Sequence, residues 1–311
     1  MSWTLLVDLL LAGALVLLAW YTVLGGTLFR GIVMFVVFGM VLALAWAWLG
    51  SPDLAMAEAA IGAGVTGALI MITYWRLRRI QAVEPNDPSP RHSFSALAIA
   101  GLSAALVAVV GIGALTALSG EAAATRLLNA ALPDTGLGNP ITGVLIIFRN
   151  LDTLLEVAVL LAAYAGARAA LGSQHAHLPQ PPPNTSVIAA LLTIVAPLTV
   201  VVAIYLFQAG SQLPGGAFQA GATLAALGVM LLLTGRLLPA VYGDLLTRAA
   251  LAVGTLIFAL VGIGVLLIDL PLLGIPGIWA VYLIEAAMMI SIAATLALLF
   301  AGAGGITWRR P

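Results

Sequence analysis

The chain has 311 residues, 62% of them hydrophobic and only 8% charged, with a mean hydropathy of +1.15. No water-soluble domain has this composition, so the chain reads as an all-α polytopic membrane protein. A formal net charge of zero excludes a basic nucleic-acid footprint, and the lack of cysteine excludes disulfides, thiolate metal sites and iron–sulfur clusters carried by this chain.

Nine transmembrane helices are predicted, at roughly 3–24, 28–49, 52–75, 94–118, 140–168, 186–209, 215–235, 247–269 and 277–301. The N-terminal MSWTLLVDLLLAG has no basic flank and carries Asp8, so the first span is expected to be uncleaved. Two polar linkers, 81–92 and the proline-rich 172–185, divide the chain into blocks at 1–80, 93–171 and 186–305 with three, two and four spans. All twelve basic residues are arginine. With the N-terminus external, Arg30, Arg76, Arg78, Arg79, Arg91, Arg168, Arg236, Arg248, Arg309 and Arg310 share one side, Arg126 lies opposite and Arg149 lies within the membrane. The positive-inside rule makes the arginine-rich side, and the C-terminus, cytoplasmic. The location is then the inner (cytoplasmic) membrane, crossed many times.

In the first block, Ser51-Pro52-Asp53 has the form of a helix start, with Asp53 either a cap or part of an ion path. Glu58 lies about 7.5 Å further along and is an ion-path candidate. Gly62, Gly64 and Gly67 are expected to let a neighbouring helix approach.

The central stretch is 139–166, where Asn139-Pro140 reads as an N-cap and first-turn proline. Read as one regular helix, it places Arg149, Asp152 and Glu156 within an arc of about 60°, roughly 15 to 25 Å along its axis. A lone charge at that depth costs roughly 2.5–3.5 kcal/mol, so these groups need partners or water. Asp152 can pair with Arg149, and Glu156 is free to face another helix or a water file. The face reads either as an ion path or as glue to a neighbouring subunit. The loop 119–138 offers nothing catalytic.

In the last block, Gly210, Pro214, Gly215 and Gly216 predict a tight re-entry between spans. There is no GxxxxGK[ST] pattern, so a phosphate loop is rejected. Gln208, Gln212 and Gln219 could line a polar vestibule, or the segment could be a plain turn. Asp269 ends a span as a surface acid, whereas Glu285 lies about 12 Å into the ninth span and is a further ion-path candidate. His92, His175 and His177 fall in linkers, so no metal site is expected.

Three motifs carry a family resemblance. GSPDLAMAEAAIGAGV (50–65) resembles the MbhD-like signature, NPITGVLIIFRNLDTLLE (139–156) the MbhE-like signature, and QAGSQLPGGAFQAG (208–221) the loop of MnhB/MrpB (MbhF)-like subunits. Their order and the block sizes also resemble those families. The chain departs from them at Ala217, which replaces a glycine, at Asn150, which replaces the glycine after Arg149, and in having Ser211 or Gln212 near the position of a loop histidine.

The resemblance implies a membrane subunit of a multisubunit Mrp-type monovalent cation (Na+)/proton antiporter, a transport component with no enzymatic activity and no cofactor. It further implies that Glu58, Arg149, Asp152 and Glu156 occupy the family's intramembrane charged positions and that Pro214, Gly215 and Phe218 occupy its loop motif. The implied partners are other Mrp/Mbh-type membrane subunits, including a large antiporter-like subunit that supplies the lysine/glutamate proton relay. Two alternatives stand beside this reading. One is an ion-translocating subunit of a complex-I-like membrane-bound hydrogenase or oxidoreductase; the other is a scaffold that docks an antiporter-like subunit.

Overall fold

The computed structural model describes residues 3–24, 26–79, 94–117, 123–171 and 186–308. The linkers 81–92 and 172–185, with His92, His175 and His177, lie outside the described residues, as do Arg91, Arg309 and Arg310.

Helices fall at all nine expected positions. α1 (Trp3–Leu24) and α2 (Leu28–Trp48) form a hairpin, with Thr27 Oγ1 accepting from the Arg30 N–H at the start of α2. α3 covers 52–79 and α4 is Phe94–Ala117. The chain continues through a short helix α5 (Ala123–Ala131), a segment α6 over 140–148, and α7 (Asn150–Leu171). The last block holds α8 (Ser186–Ala209), α9 (Ala217–Leu233), α10 (Leu245–Gly264) and α11 (Ile278–Ala301). Among the described residues seven helices are long and apolar enough to cross a membrane; the fourth and seventh expected spans are represented by shorter apolar helices, Gly101–Leu115 and Ala217–Leu233.

Three features were not foreseen. The loop after the fourth span contains α5, which carries Arg126. Two four-residue strands, β1 (Leu237–Ala240) and β2 (Gly305–Trp308), pair antiparallel after α9 and α11. Two helical segments are π-helical, Glu58–Thr66 inside α3 and Gly143–Phe148 inside α6. Such widened turns recur at functional sites, and these two overlap the motifs at 50–65 and 139–156.

The core is built around α11, whose inward face includes Val281, Ile284, Met288 and Ile292. Phe258 of α10, Ala222 of α9, Val157 of α7, Ile146 of α6 and Val65 of α3 join it in one apolar cluster, so all three blocks share one interior. The three expected thinning glycines divide. A methyl on Gly67 would lie 2.6 Å from Val36 of α2, so Gly67 does admit a neighbouring helix. The space over Gly62 is filled by the Glu58 carboxyl group and that over Gly64 by the Ala59 carbonyl, both from α3 itself.

The ends of the blocks are tied by polar side chains. At the end bearing β1 and β2, Arg76 Nη2 donates to Phe300 O (3.4 Å), Arg168 Nη2 to Val241 O (3.2 Å), and the Tyr164 hydroxyl to Gly304 O (3.2 Å). These bonds satisfy carbonyls left over where α11 ends and the strands turn.

Candidate functional site: a carboxylate cavity beneath a glycine turn

The opposite end brings the three sequence motifs together. Asn139 caps α6 as expected, its Oδ1 accepting from Ile141 N–H at 2.9 Å. Its amide nitrogen then donates to Asp53 Oδ1 (3.2 Å) and to Leu213 O (3.0 Å). Gly215 N–H donates to the same Asp53 oxygen at 3.0 Å. Asp53 is therefore no cap for its own helix. Its N-cap residue Ser51 makes no capping bond either, and the Asp53 side chain, only 6% exposed, joins the first, middle and last blocks.

The turn between α8 and α9 is held from both sides. Gly216 N–H donates to Leu206 O (2.8 Å), and Gly138 and Asn139 N–H groups both donate to Ser211 O. The Thr142 hydroxyl donates to Gly210 O at 2.6 Å, while Ser211 Oγ and the Tyr282 hydroxyl share a 2.7 Å bond. A methyl on Gly210 would meet Gly216 backbone at 2.5 Å, and Gly216 itself has φ of 121°, so both positions require glycine. Tight chain reversal exposes successive N–H groups at the start of α9. They face side-chain carboxylates of this chain: Gly215 N–H bonds Asp53, and Ala217 N–H lies near Glu285.

Beneath the turn lies a cavity of about 330 Å³. Its polar lining is Asp53, Thr142, Thr153, Glu156, Gln219 and Glu285, and among the described residues no arginine lines it. Glu285 is 3% exposed, and its Oε2 has no hydrogen-bond partner among the described residues. A second pocket of about 260 Å³ sits on the other side of Asp53, lined by Ser51, Asn139, Gln212 and Pro214 among others. The two share Asp53, Leu54 and Ile141, so Asp53 stands between them. Both of its side-chain hydrogen bonds fall on Oδ1.

The central stretch departs from one regular helix. The π-turn sends Arg149 N–H to Val144 O (2.8 Å), and Arg149 takes φ −133° and ψ 37°, outside helical values. Only Asp152 and Glu156 share a helix, α7, and the expected common face of all three charges does not exist. The break is secured locally. The Thr153 hydroxyl donates to Leu145 O (2.6 Å), and Asn150 Nδ2 donates to Leu273 O of the last block. Asn150, the residue that departs from the family glycine, thus clamps the break in place. Arg149 and Asp152 form the expected ion pair, at 2.5 Å, but on the outside of the chain, with side chains 70% and 47% exposed. Glu156 faces the cavity, as its position two turns beyond Arg149 suggested.

The remaining candidates separate. Glu58 is half-buried against Gly62 and does not reach the cavity that its neighbours Ala57 and Ile61 line. Gln219 and Phe218 line the cavity; Gln212 and Pro214 line the outer pocket, with Gln212 Nε2 on Gly136 O at 3.0 Å; the Gln208 side chain is exposed. Asp269 is exposed, as expected for a surface acid. The parts missed from sequence were the Asn139 amide, Thr142 and Thr153. Their signal was polarity inside apolar stretches, since a buried polar group needs a partner.

Comparison with known proteins agrees with this architecture. Residues 13–79 match the family model of MbhD, a component of MBH, and residues 187–306 match the model of a domain related to the MnhB subunit of Na+/H+ antiporter. No curated protein matches the chain. Among solved structures, the Mrp complex from Dietzia sp. DQ12-45-1b aligns with a TM-score of 0.74 at 20% identity, over 95% of this chain and 34% of that one. This chain therefore spans about a third of the length of that relative. The membrane-bound sulfane sulfur reductase, an archaeal respiratory membrane complex, aligns over 65% of this chain and 97% of that one, at 21% identity and a TM-score of 0.46. The chain thus carries an MbhD domain at 13–79 and an MnhB-related domain at 187–306 in one polypeptide, with the fold of an Mrp-type membrane module.

Proposed function

We propose that the chain is the coupling module of a multisubunit Na+/proton antiporter, and that its cavity is part of the ion path. The observation that carries the reading is an acidic cavity, lined by the buried Glu285 and Asp53 and the exposed Glu156 with no arginine among the described residues, between elements from all three blocks. A buried carboxylate without a cationic partner is costly unless it holds a proton or another cation. One site cannot hold both, and that exclusion couples the two fluxes.

In this reading the middle block, 93–171, is an MbhE-like two-helix unit between the two matched domains. A larger antiporter-like subunit supplies the lysine/glutamate relay, since this chain has no lysine. The end bearing Asp53 and the glycine turn faces outward, following the arginine distribution. The outer pocket is then the mouth and Asp53 the first carboxylate inside it. Glu58, away from the cavity, serves a second route at the contact with a partner.

A scaffold role has its own support in the Arg149–Asp152 pair, whose exposed position on α7 suits docking to a neighbour. The two are separated by transport in everted vesicles from a host without its own antiporters, expressing the chain with its operon. The readout is sodium-driven collapse of a respiration-made pH gradient. Glu156→Gln or Glu58→Gln complexes that assemble but lose the response uphold the path; normal transport by both leaves a scaffold. A wild-type complex without any sodium response would point to the redox-coupled sibling complexes.

A further inference from the structure

Two side-chain oxygens define an unfilled position in the cavity. A methyl placed on Gly216 would lie 3.3 Å from Glu285 Oε1 and 3.5 Å from Gln219 Oε1, with no other atom within 4 Å apart from the adjoining chain. Two oxygens thus face the same gap over a residue without a side chain. Gln219 is only 9% exposed, and its Nε2 donates to Asp53 O (3.4 Å), which turns its carbonyl oxygen toward Glu285. Glu285 lies near Ala217 N–H, while among the described residues its Oε2 has no partner and no arginine lines the cavity.

These groups form an acceptor-only site. A carboxylate and an amide oxygen offer lone pairs and nothing to donate, so an anion is repelled and a cation is favoured. One carboxylate with one neutral ligand matches a single positive charge, and the oxygen atoms suit a hard ion. The cavity has room for the waters that would complete its coordination.

We propose that the gap above Gly216 binds one partly dehydrated monovalent cation between the Glu285 carboxylate and the Gln219 side-chain carbonyl. The inference rests on the antiporter reading for its physiological meaning, and gives that reading a specific seat for the ion. Gly215 and Gly216 then have a double purpose. They allow the chain to reverse, and the missing Cβ of Gly216 leaves the ion its space. Glu156 and Asp53, at the edges of the same cavity, are the stations on either side.

The test is equilibrium binding of radioactive sodium to the complex purified with its partner subunits, with unlabelled sodium as competitor. Wild type is expected to show saturable binding that weakens about tenfold or more in Glu285→Gln, which removes the ligand charge but keeps its shape. Gln219→Leu removes the second oxygen from an independent position and is expected to weaken binding as well. Asp269→Asn, at an exposed acid outside the cavity, is expected to bind as wild type. Wild-type binding by an assembled Glu285→Gln complex overturns the site. So does a complex that moves sodium in vesicles yet shows no saturable binding, in which case the antiporter reading stands alone. Glu285-dependent binding without sodium-driven proton movement upholds the site and overturns the antiporter reading.

Discussion

Two groups of charge in this chain are held in opposite ways. Arg149 and Asp152 neutralise each other on the outside of α7, largely exposed, at a point where the helix is broken. Glu285 and Asp53 are almost wholly buried, line a cavity with no arginine among the described residues, and sit against the N–H groups of a single glycine turn. A salt bridge suffices where a neighbouring subunit or interfacial water can cover it. In the interior a fixed counter-cation would fill the site permanently, whereas peptide dipoles lower the cost of the anion and leave it exchangeable. The first arrangement suits docking and the second suits transit.

The contrast breaks most severely at Asp53. Asp53→Ala strands the Asn139 amide and Gly215 N–H in the interior, at about 1–3 kcal/mol for each lost partner. The expected outcome is a large fall in thermal stability and loss of assembly, read by size-exclusion chromatography of detergent-solubilised complex after heating. A variant as heat-stable as wild type would show that Asp53 does not join the blocks. Arg149→Ala leaves Asp152 alone, at a cost of about 2.5–3.5 kcal/mol on insertion scales. Replacing both is expected to recover much of that loss, because the pair compensates itself. Equal losses in single and double variants, measured as yield of assembled complex, would show that the two charges do not compensate each other.

A milder effect is expected from Thr142→Val, which keeps the shape but leaves Gly210 O without its hydroxyl donor, at about 1 kcal/mol. Its thermal midpoint should fall, with transport declining in step if the glycine turn shapes the cavity. Transport unchanged at a lowered midpoint would separate the turn from the path. Smallest is Tyr164→Phe at the far end, where one half-exposed hydroxyl is lost, at about 0.5 kcal/mol. Sodium-dependent proton movement is expected to remain at the wild-type level. A marked transport defect there would mean that the strand-bearing end also belongs to the path.

Much of this architecture was legible in the chain itself. Helices fall at every span the apolar stretches predicted, and the Asn139 cap, the Arg149–Asp152 pair and the tight turn at 210–216 stand where local rules put them. These features depend on length, hydropathy and neighbours within a few residues, which a sequence displays directly. The π-turns were not legible, because inserting one residue into a helical turn leaves the composition unchanged while rotating everything beyond it. Arg149 left the face it was expected to share with Glu156 because its own backbone is non-helical, where the π-helical segment ends and α7 begins.

The sequence by itself determined a helical membrane chain, with acidic residues placed inside apolar segments where each required a partner or an ion. Which partner each found was decided by tertiary structure alone. Asp53 meets Gly215 across 162 positions of sequence and Asn139 across 86, and Glu285 meets the start of α9. No local pattern encodes those meetings. They follow from burying the apolar faces of three blocks around α11, which brings the polar ends of their helices to one place, where hydrogen bonds must then be made among themselves.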